Sequence, residues 1–200
     1  MSKLEKDNLY YDKVYQWGGL NGNYHKSPEE THYFPIWNKI IQTMNEESII
    51  ADFGCGVGQF AELVLKNGLN YAYGVDFSEK AIKMANERNG QDYFYVANLY
   101  DESSFRIKNY NTAILLEVLE HVEQDLKIIS YIPEAVRVIF SVPNFDDLSH
   151  LRTYDLESIS RRYESLLDIK EISTFVIKGR AVIYLCDAIR KSEIVKNVGL

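Results

Sequence analysis

Short apolar runs and amphipathic stretches alternate along most of the chain. Ser48-Ile49-Ile50-Ala51-Asp52-Phe53 has the length of a buried strand, and after it Phe60, Leu63 and Val64 recur at helical spacing. The same pattern predicts strands over 48–53, 71–76, 93–97, 112–117, 136–141, 168–176 and 181–187, and helices over 59–67, 79–89, 124–132 and 155–163. Helix 79–89 has its own punctuation, with Ser78 as N-cap before Glu79 and Asn89-Gly90 as a stop. Strands and helices in alternation predict an α/β domain whose parallel sheet is covered on both faces. The last two strands are joined only by Ile177-Lys178-Gly179-Arg180, too short for a crossover, so they must pair antiparallel.

Residues 1–45 break this rhythm. Tyr10, Tyr11, Tyr15, Trp17, Tyr24, Tyr33, Phe34 and Trp37 crowd a stretch that also holds Gly18-Gly19 and Gly22, and only 31–43 shows helical spacing. Such a segment fits a helical lid laying rings over a cleft, and equally a helix packed on the core. The expected division is an aromatic helical lid over 1–45 and a ligand-binding domain over 46–200.

Composition narrows the partners more than the fold. A net charge of -7 disfavours nucleic acid, whose phosphates call for clustered Lys and Arg; Arg161-Arg162 reads as a solvated helix face. Cys55 and Cys186 are the two cysteines and form no C-x-x-C pair, so neither a zinc ribbon nor a disulfide framework is indicated. The charged start Met1-Ser2-Lys3-Leu4-Glu5 has no apolar run behind it, and no run reaches membrane-spanning length. A cytoplasmic protein, a monomer or a homodimer, is the expectation.

Chemistry concentrates at Asp52-Phe53-Gly54-Cys55-Gly56-Val57-Gly58, a glycine turn between strand and helix. Backbone without Cβ atoms can approach a ligand closely, and the helix behind it offers unpaired N–H groups. A dinucleotide fingerprint G-x-G-x-x-G counted from Gly54 would need glycine at 59, where the chain has Gln59, which disfavours an NAD-dependent dehydrogenase. Asp76 ends the second strand 22 residues after Gly54, placed to accept both hydroxyls of a ribose or, alternatively, to cap the next helix.

With these residues the chain resembles the class I S-adenosylmethionine-dependent methyltransferases over about 48–144. The resemblance implies a Rossmann-like, seven-stranded, mostly parallel sheet with helices on both faces and a C-terminal antiparallel hairpin. It also implies S-adenosylmethionine as cofactor and S-adenosylhomocysteine as product. Gly54 and Gly56 match positions near the methionine portion, Asp76 the ribose acid and Phe77 the residue against adenine. Asn98 stands where many members have aspartate, beside Leu99 as an apolar wall. Asp52, Gly58 and Leu116 complete the candidate cofactor set.

Glu117-Val118-Leu119-Glu120-His121-Val122 is similar to the signature of small-molecule O-methyltransferases of the ubiquinone-biosynthesis type. If 117–121 is a helical turn, Glu117 and His121 share a face, and a carboxylate-oriented imidazole suits removal of a hydroxyl proton. His121 is therefore the candidate base, with Glu117 and His150 as further catalytic candidates. Ser141-Val142-Pro143-Asn144 and the His150–Tyr154 segment, with Arg152, resemble the family after strand five. In related families a set matching Glu117, Glu120, His121 and His150 can bind a divalent cation; no metal is assigned here. Between 131 and 136 the chain lacks the Pro-Gly-Gly turn of many members. The expected reaction is methyl transfer to a hydroxyl of a small molecule. Alternatives are a nitrogen acceptor, an RNA ribose, or a non-catalytic module that binds the cofactor.

Overall fold

The computed structural model describes residues 3–90 and 93–192. Two helices, α1 (Asn8–Gln16) and α2 (Phe34–Gln42), precede an alternating core. That core runs β1 (Ile49–Phe53), α3 (Gln59–Lys66), β2 (Asn70–Asp76), α4 (Glu79–Asn89), β3 (Phe94–Val96) and β4 (Thr112–Leu116). It continues through α5 (Asp125–Ser130), β5 (Arg137–Pro143), α6 (Leu156–Tyr163), β6 (Leu167–Lys178) and β7 (Ala181–Arg190). The strands form one seven-stranded sheet in the order β3-β2-β1-β4-β5-β7-β6. Pairings from β3 to β5 are parallel, and β7 pairs antiparallel with both β5 and β6. Both the expected sheet and its antiparallel end are present.

Alternation along each central strand sends its side chains into two separate layers. Ala51, Phe53, Ala113, Leu115, Val138 and Phe140 pack with Ile128, Ile129, Ile159 and Tyr163 of α5 and α6. Ile50, Ile114 and Ile139 point the other way, into α2, α3 and α4 through Ile36, Trp37, Ile40, Phe60, Val64 and Ile82. Strand order reverses between β1 and β4, so the loops leaving their carboxyl ends flank a crevice.

Local departures from the sequence reading have physical causes. The helix expected over 31–43 begins only at Phe34, because Ser27 and Glu30 cap a separate single turn at Pro28–Glu30. The helix expected over 124–132 is just Asp125–Ser130, and the turn after it places Ala135, at φ 63°, in the left-handed region that favours glycine. Arg162 is not the solvated side chain expected of it. Its guanidinium forks onto the buried Asp125 carboxylate at 2.6 Å through both Nε and Nη2, while Arg161 remains exposed beside Glu157. Among the described residues no helix is long and apolar enough to cross a membrane.

Candidate active site

The glycine turn leaves β1 and folds back over the end of β2. Gly54 and Cys55 both donate their N–H to the Val75 carbonyl, at 2.8 and 2.9 Å. Gly54 has φ 83°, and a Cβ there would stand 2.4 Å from Val118 Cγ2, so the turn and the segment after β4 are in direct contact. Gly56 forms the tip at φ 51°, and Gly58 precedes α3. Asp52 lies beneath the turn. Its buried carboxyl accepts from the Tyr71 hydroxyl at 3.3 Å, and burial pushes its pKa up to about 7.

Asp76 is 4% exposed and accepts from the N–H of Gly56 (3.0 Å) and of Ser78 (2.9 Å). Burial raises its pKa to about 6 against these bonds. The Tyr15 hydroxyl also bonds this carboxyl, so Asp76 is held from three sides. The capping alternative falls to Ser78, whose Oγ accepts from Ala81 N at 3.0 Å. Phe77 is half-buried against the Tyr11 ring, centroids 5.4 Å apart. Asn98 is exposed and turns its Oδ1 onto Tyr100 N at 2.9 Å, while Leu99 and Leu116 are half-buried against the two core layers.

The segment after β4 differs from the expected helical turn. Glu117 takes φ 54°, which ends the strand abruptly and sends its carboxyl toward β5. There Glu117 N donates to Ser141 Oγ at 2.9 Å and Ser141 Oγ donates to Glu117 Oε1 at 2.7 Å; burial raises that carboxyl to about 7. Glu120, rather than Glu117, is the carboxyl beside His121, with Oε1 3.7 Å from Nε2. His121 Nδ1 lies 3.0 Å from the Ser149 carbonyl, and burial lowers the imidazole pKa to about 4, so the ring is neutral. His150 joins this group. Its ring centroid is 4.9 Å from that of His121, and its Nδ1 is 2.9 Å from the Phe145 carbonyl.

Two features of the site have little sequence signal. Arg152 ties the loop after β5 to the β4 turn, donating to the carbonyls of Leu119 (2.6 Å), Val122 (2.7 Å) and Glu123 (3.1 Å). Residues 3–17 form a strap across the crevice. Lys3 bonds Asp146, Glu5 accepts from Glu123 N (2.8 Å), Asp12 accepts from Lys80 N (3.3 Å), and Tyr15 lies against Gly56. The aromatic crowding of 1–45 was the available hint; backbone partners such as the Ser149 and Phe145 carbonyls carry none.

Residues 51–139 match the family model of the methyltransferase domain. With the sheet order, the glycine turn and the strand-end acid, this gives the chain a methyltransferase domain in a Rossmann-like methyltransferase fold. Among solved structures it is similar to magnesium protoporphyrin IX methyltransferase from Synechocystis PCC 6803 with bound S-adenosylhomocysteine, at TM-score 0.66 and 16% identity over 92% of this chain and 95% of that one. The N-methyltransferase NodS from Bradyrhizobium japonicum WM9 superposes at TM-score 0.68 and 14% identity, covering 93% and 100%. The 1,6-didemethyltoxoflavin-N1-methyltransferase of Burkholderia thailandensis reaches 0.71 at 12% identity, covering 92% and 87%. At such identities the likeness speaks for the fold alone. No curated protein matches the chain in sequence.

Proposed function

We propose that the enzyme transfers the sulfonium methyl of S-adenosylmethionine to a hydroxyl of a small molecule held beneath the N-terminal strap. The observation that carries this reading is the neutral His121 imidazole one short turn beyond Val118, the residue that touches the glycine turn. Its Nδ1 faces a carbonyl, which only accepts, so Nδ1 holds the hydrogen and Nε2 offers a lone pair to an acceptor proton. In the proposed pose the Gly54–Gly56 backbone approaches the methionine portion and Asp76 takes the ribose hydroxyls. Phe77, Asn98 and Leu99 border the adenine, with Leu116 beside them. Glu117, fixed by Ser141, lines the acceptor side. Catalysis rests chiefly on in-line positioning, with a smaller share from proton removal.

Residues 1–45 serve as the lid in this reading, supported by the strap contacts that run from Lys3 to Tyr15. A nitrogen acceptor is the second reading. Asp76 and Glu120 are buried and Glu117 is half-buried close to several tyrosines, and two structural relatives are N-methyltransferases. Methyl-labelled S-adenosylmethionine incubated with separate pools of phenols, alcohols and amines decides between them. Label in the hydroxyl pools, reduced at least about tenfold by His121→Ala, is expected. Label confined to amines would overturn the hydroxyl reading.

A further inference from the structure

The inner face of the strap occupies the place proposed for the nucleoside. Tyr11 and Tyr15 stand four apart on α1 and share one side of the helix. The Tyr11 ring lies beside Phe77 and His121, with centroids 5.4 and 5.9 Å away. Tyr15 is 7% exposed and packs with Val57 and Ala81, and its hydroxyl stands 3.4 Å from where a Cβ on Gly56 would be. Gly56 N in turn donates to Asp76 at 3.0 Å, and the Tyr15 hydroxyl bonds the same carboxyl. Counting lone pairs makes phenol and ribose rivals. An ionised carboxyl accepts about four hydrogen bonds. Gly56 N and Ser78 N take two of these places on Asp76, and a vicinal diol needs two more. A phenol on the same carboxyl leaves one place too few, so both ribose hydroxyls bind only after Tyr15 withdraws.

The helix that carries this phenol is held lightly. α1 has nine residues, too few to stay helical in water without a docking face. Part of its anchor on the core is polar: Asp12 accepts from Ser78 Oγ and, at 3.3 Å, from Lys80 N at the start of α4. Gly18 and Gly19 follow the helix at φ 82° and 68°, a backbone that glycine can leave at little cost. Such a pair of small residues at the end of an element is where a hinge absorbs a change in direction.

We propose that α1 is an autoinhibitory plug, in which the Tyr15 phenol takes the place of a ribose hydroxyl on Asp76 and must leave before the cofactor binds. The inference rests on the reading of Asp76 as the ribose acid. Bending at Gly18-Gly19 withdraws the phenol, the nucleoside enters, and the strap closes again over it. One helix is thus plug in the free chain and lid in the loaded one. The apparent affinity for cofactor is then the intrinsic one reduced by the fraction of chains that are open.

Binding of S-adenosylhomocysteine to the full chain is followed by calorimetry and by stopped-flow fluorescence of Trp17, which is 76% exposed beside the hinge. Observed rates for the wild type level off as ligand rises, at the rate of opening. Tyr15→Phe keeps the ring and removes the rival hydroxyl. It binds at least about fivefold more tightly and raises that plateau by a similar factor. Asp12→Ala loosens the anchor and raises the plateau as well, and it carries the test if Tyr15→Phe shows no cooperative urea transition. Weaker binding by Tyr15→Phe overturns the proposal, because the phenol would then be a contact of the bound cofactor. So does an affinity within about twofold of the wild type, a plateau that neither variant raises, or a wild-type rate that climbs without levelling. Failure of the Asp76 reading looks different: Asp76→Asn would then bind as tightly as the wild type, whatever Tyr15→Phe does.

Discussion

In the proposed pose a single buried carboxyl, Asp76, links the fold to the cofactor. Its pKa sits at about 6 in the free protein, and ribose hydroxyls donate best to the ionised form. Affinity for S-adenosylhomocysteine should therefore weaken as pH falls below about 6, by as much as about tenfold per unit, when followed by calorimetry. Asp76→Asn should bind at least about tenfold more weakly and lose that dependence. Stability shifts with pH in the opposite sense. Asp52 and Asp76 have folded pKa values of about 7 and about 6, above the ordinary carboxyl near 3.9. The unfolded chain thus releases these protons first, and the stability they contribute, complete below about pH 4, is lost as pH rises toward 7. Urea unfolding between pH 4 and 7 should show this decline, flattened in Asp52→Asn; an equal slope in the variant would refute the assignment. Glycine spacing and the strand-end acid were legible because one run of residues encodes them. The Glu117–His121 pair was not, since φ 54° at Glu117 breaks the assumed helical face and hands the place beside His121 to Glu120.

At the scale of elements, the active edge is held by cross-links between consecutive loops. Arg162 on α6 and Arg152 in the preceding loop converge on Asp125 at the start of α5, with Tyr163 Oη donating to the same carboxylate at 2.9 Å. Removing one guanidinium leaves that buried charge partly unmatched. Arg162→Ala should cost about 2–3 kcal/mol in chemical denaturation, below the loss for a fully orphaned pair because Tyr163 and Arg152 remain. A change within about 0.5 kcal/mol would show that Asp125 is satisfied without it. Helical spacing in 155–163 was readable, yet the pattern gave no sign that Arg162 points inward, because its partner lies 37 residues away. Strand boundaries fared better. The hairpin expected at 168–176 and 181–187 extends to Leu167–Lys178 and Ala181–Arg190, lengthened by register with β5 that no local window contains.

Across the whole molecule, the strap of residues 3–17 is the proposed lid over the crevice that the sheet order opens. Its anchors at Asp146, Glu123 and Gly56 belong to three different loops and that at Lys80 to the first turn of α4, so in the proposed reading cofactor exchange requires them to part. Amide hydrogen exchange should show residues 8–16 slowed when S-adenosylhomocysteine is bound, and unchanged rates would remove the lid role. The parallel sheet and its glycine turn could be anticipated from periodicity and spacing. A lid over 1–45 could be expected but its anchors could not, because aromatic residues without a regular period say that rings will be buried but not against what. The central claim is that the glycine turn and Asp76 together hold the nucleoside of S-adenosylmethionine. Calorimetric titration of S-adenosylhomocysteine into the wild-type chain and into Asp76→Asn tests it most directly. The account predicts one site per chain, weakened at least about tenfold by the substitution, with no competing affinity for NAD. Equal affinity in the two proteins, or tighter binding of NAD, would contradict it.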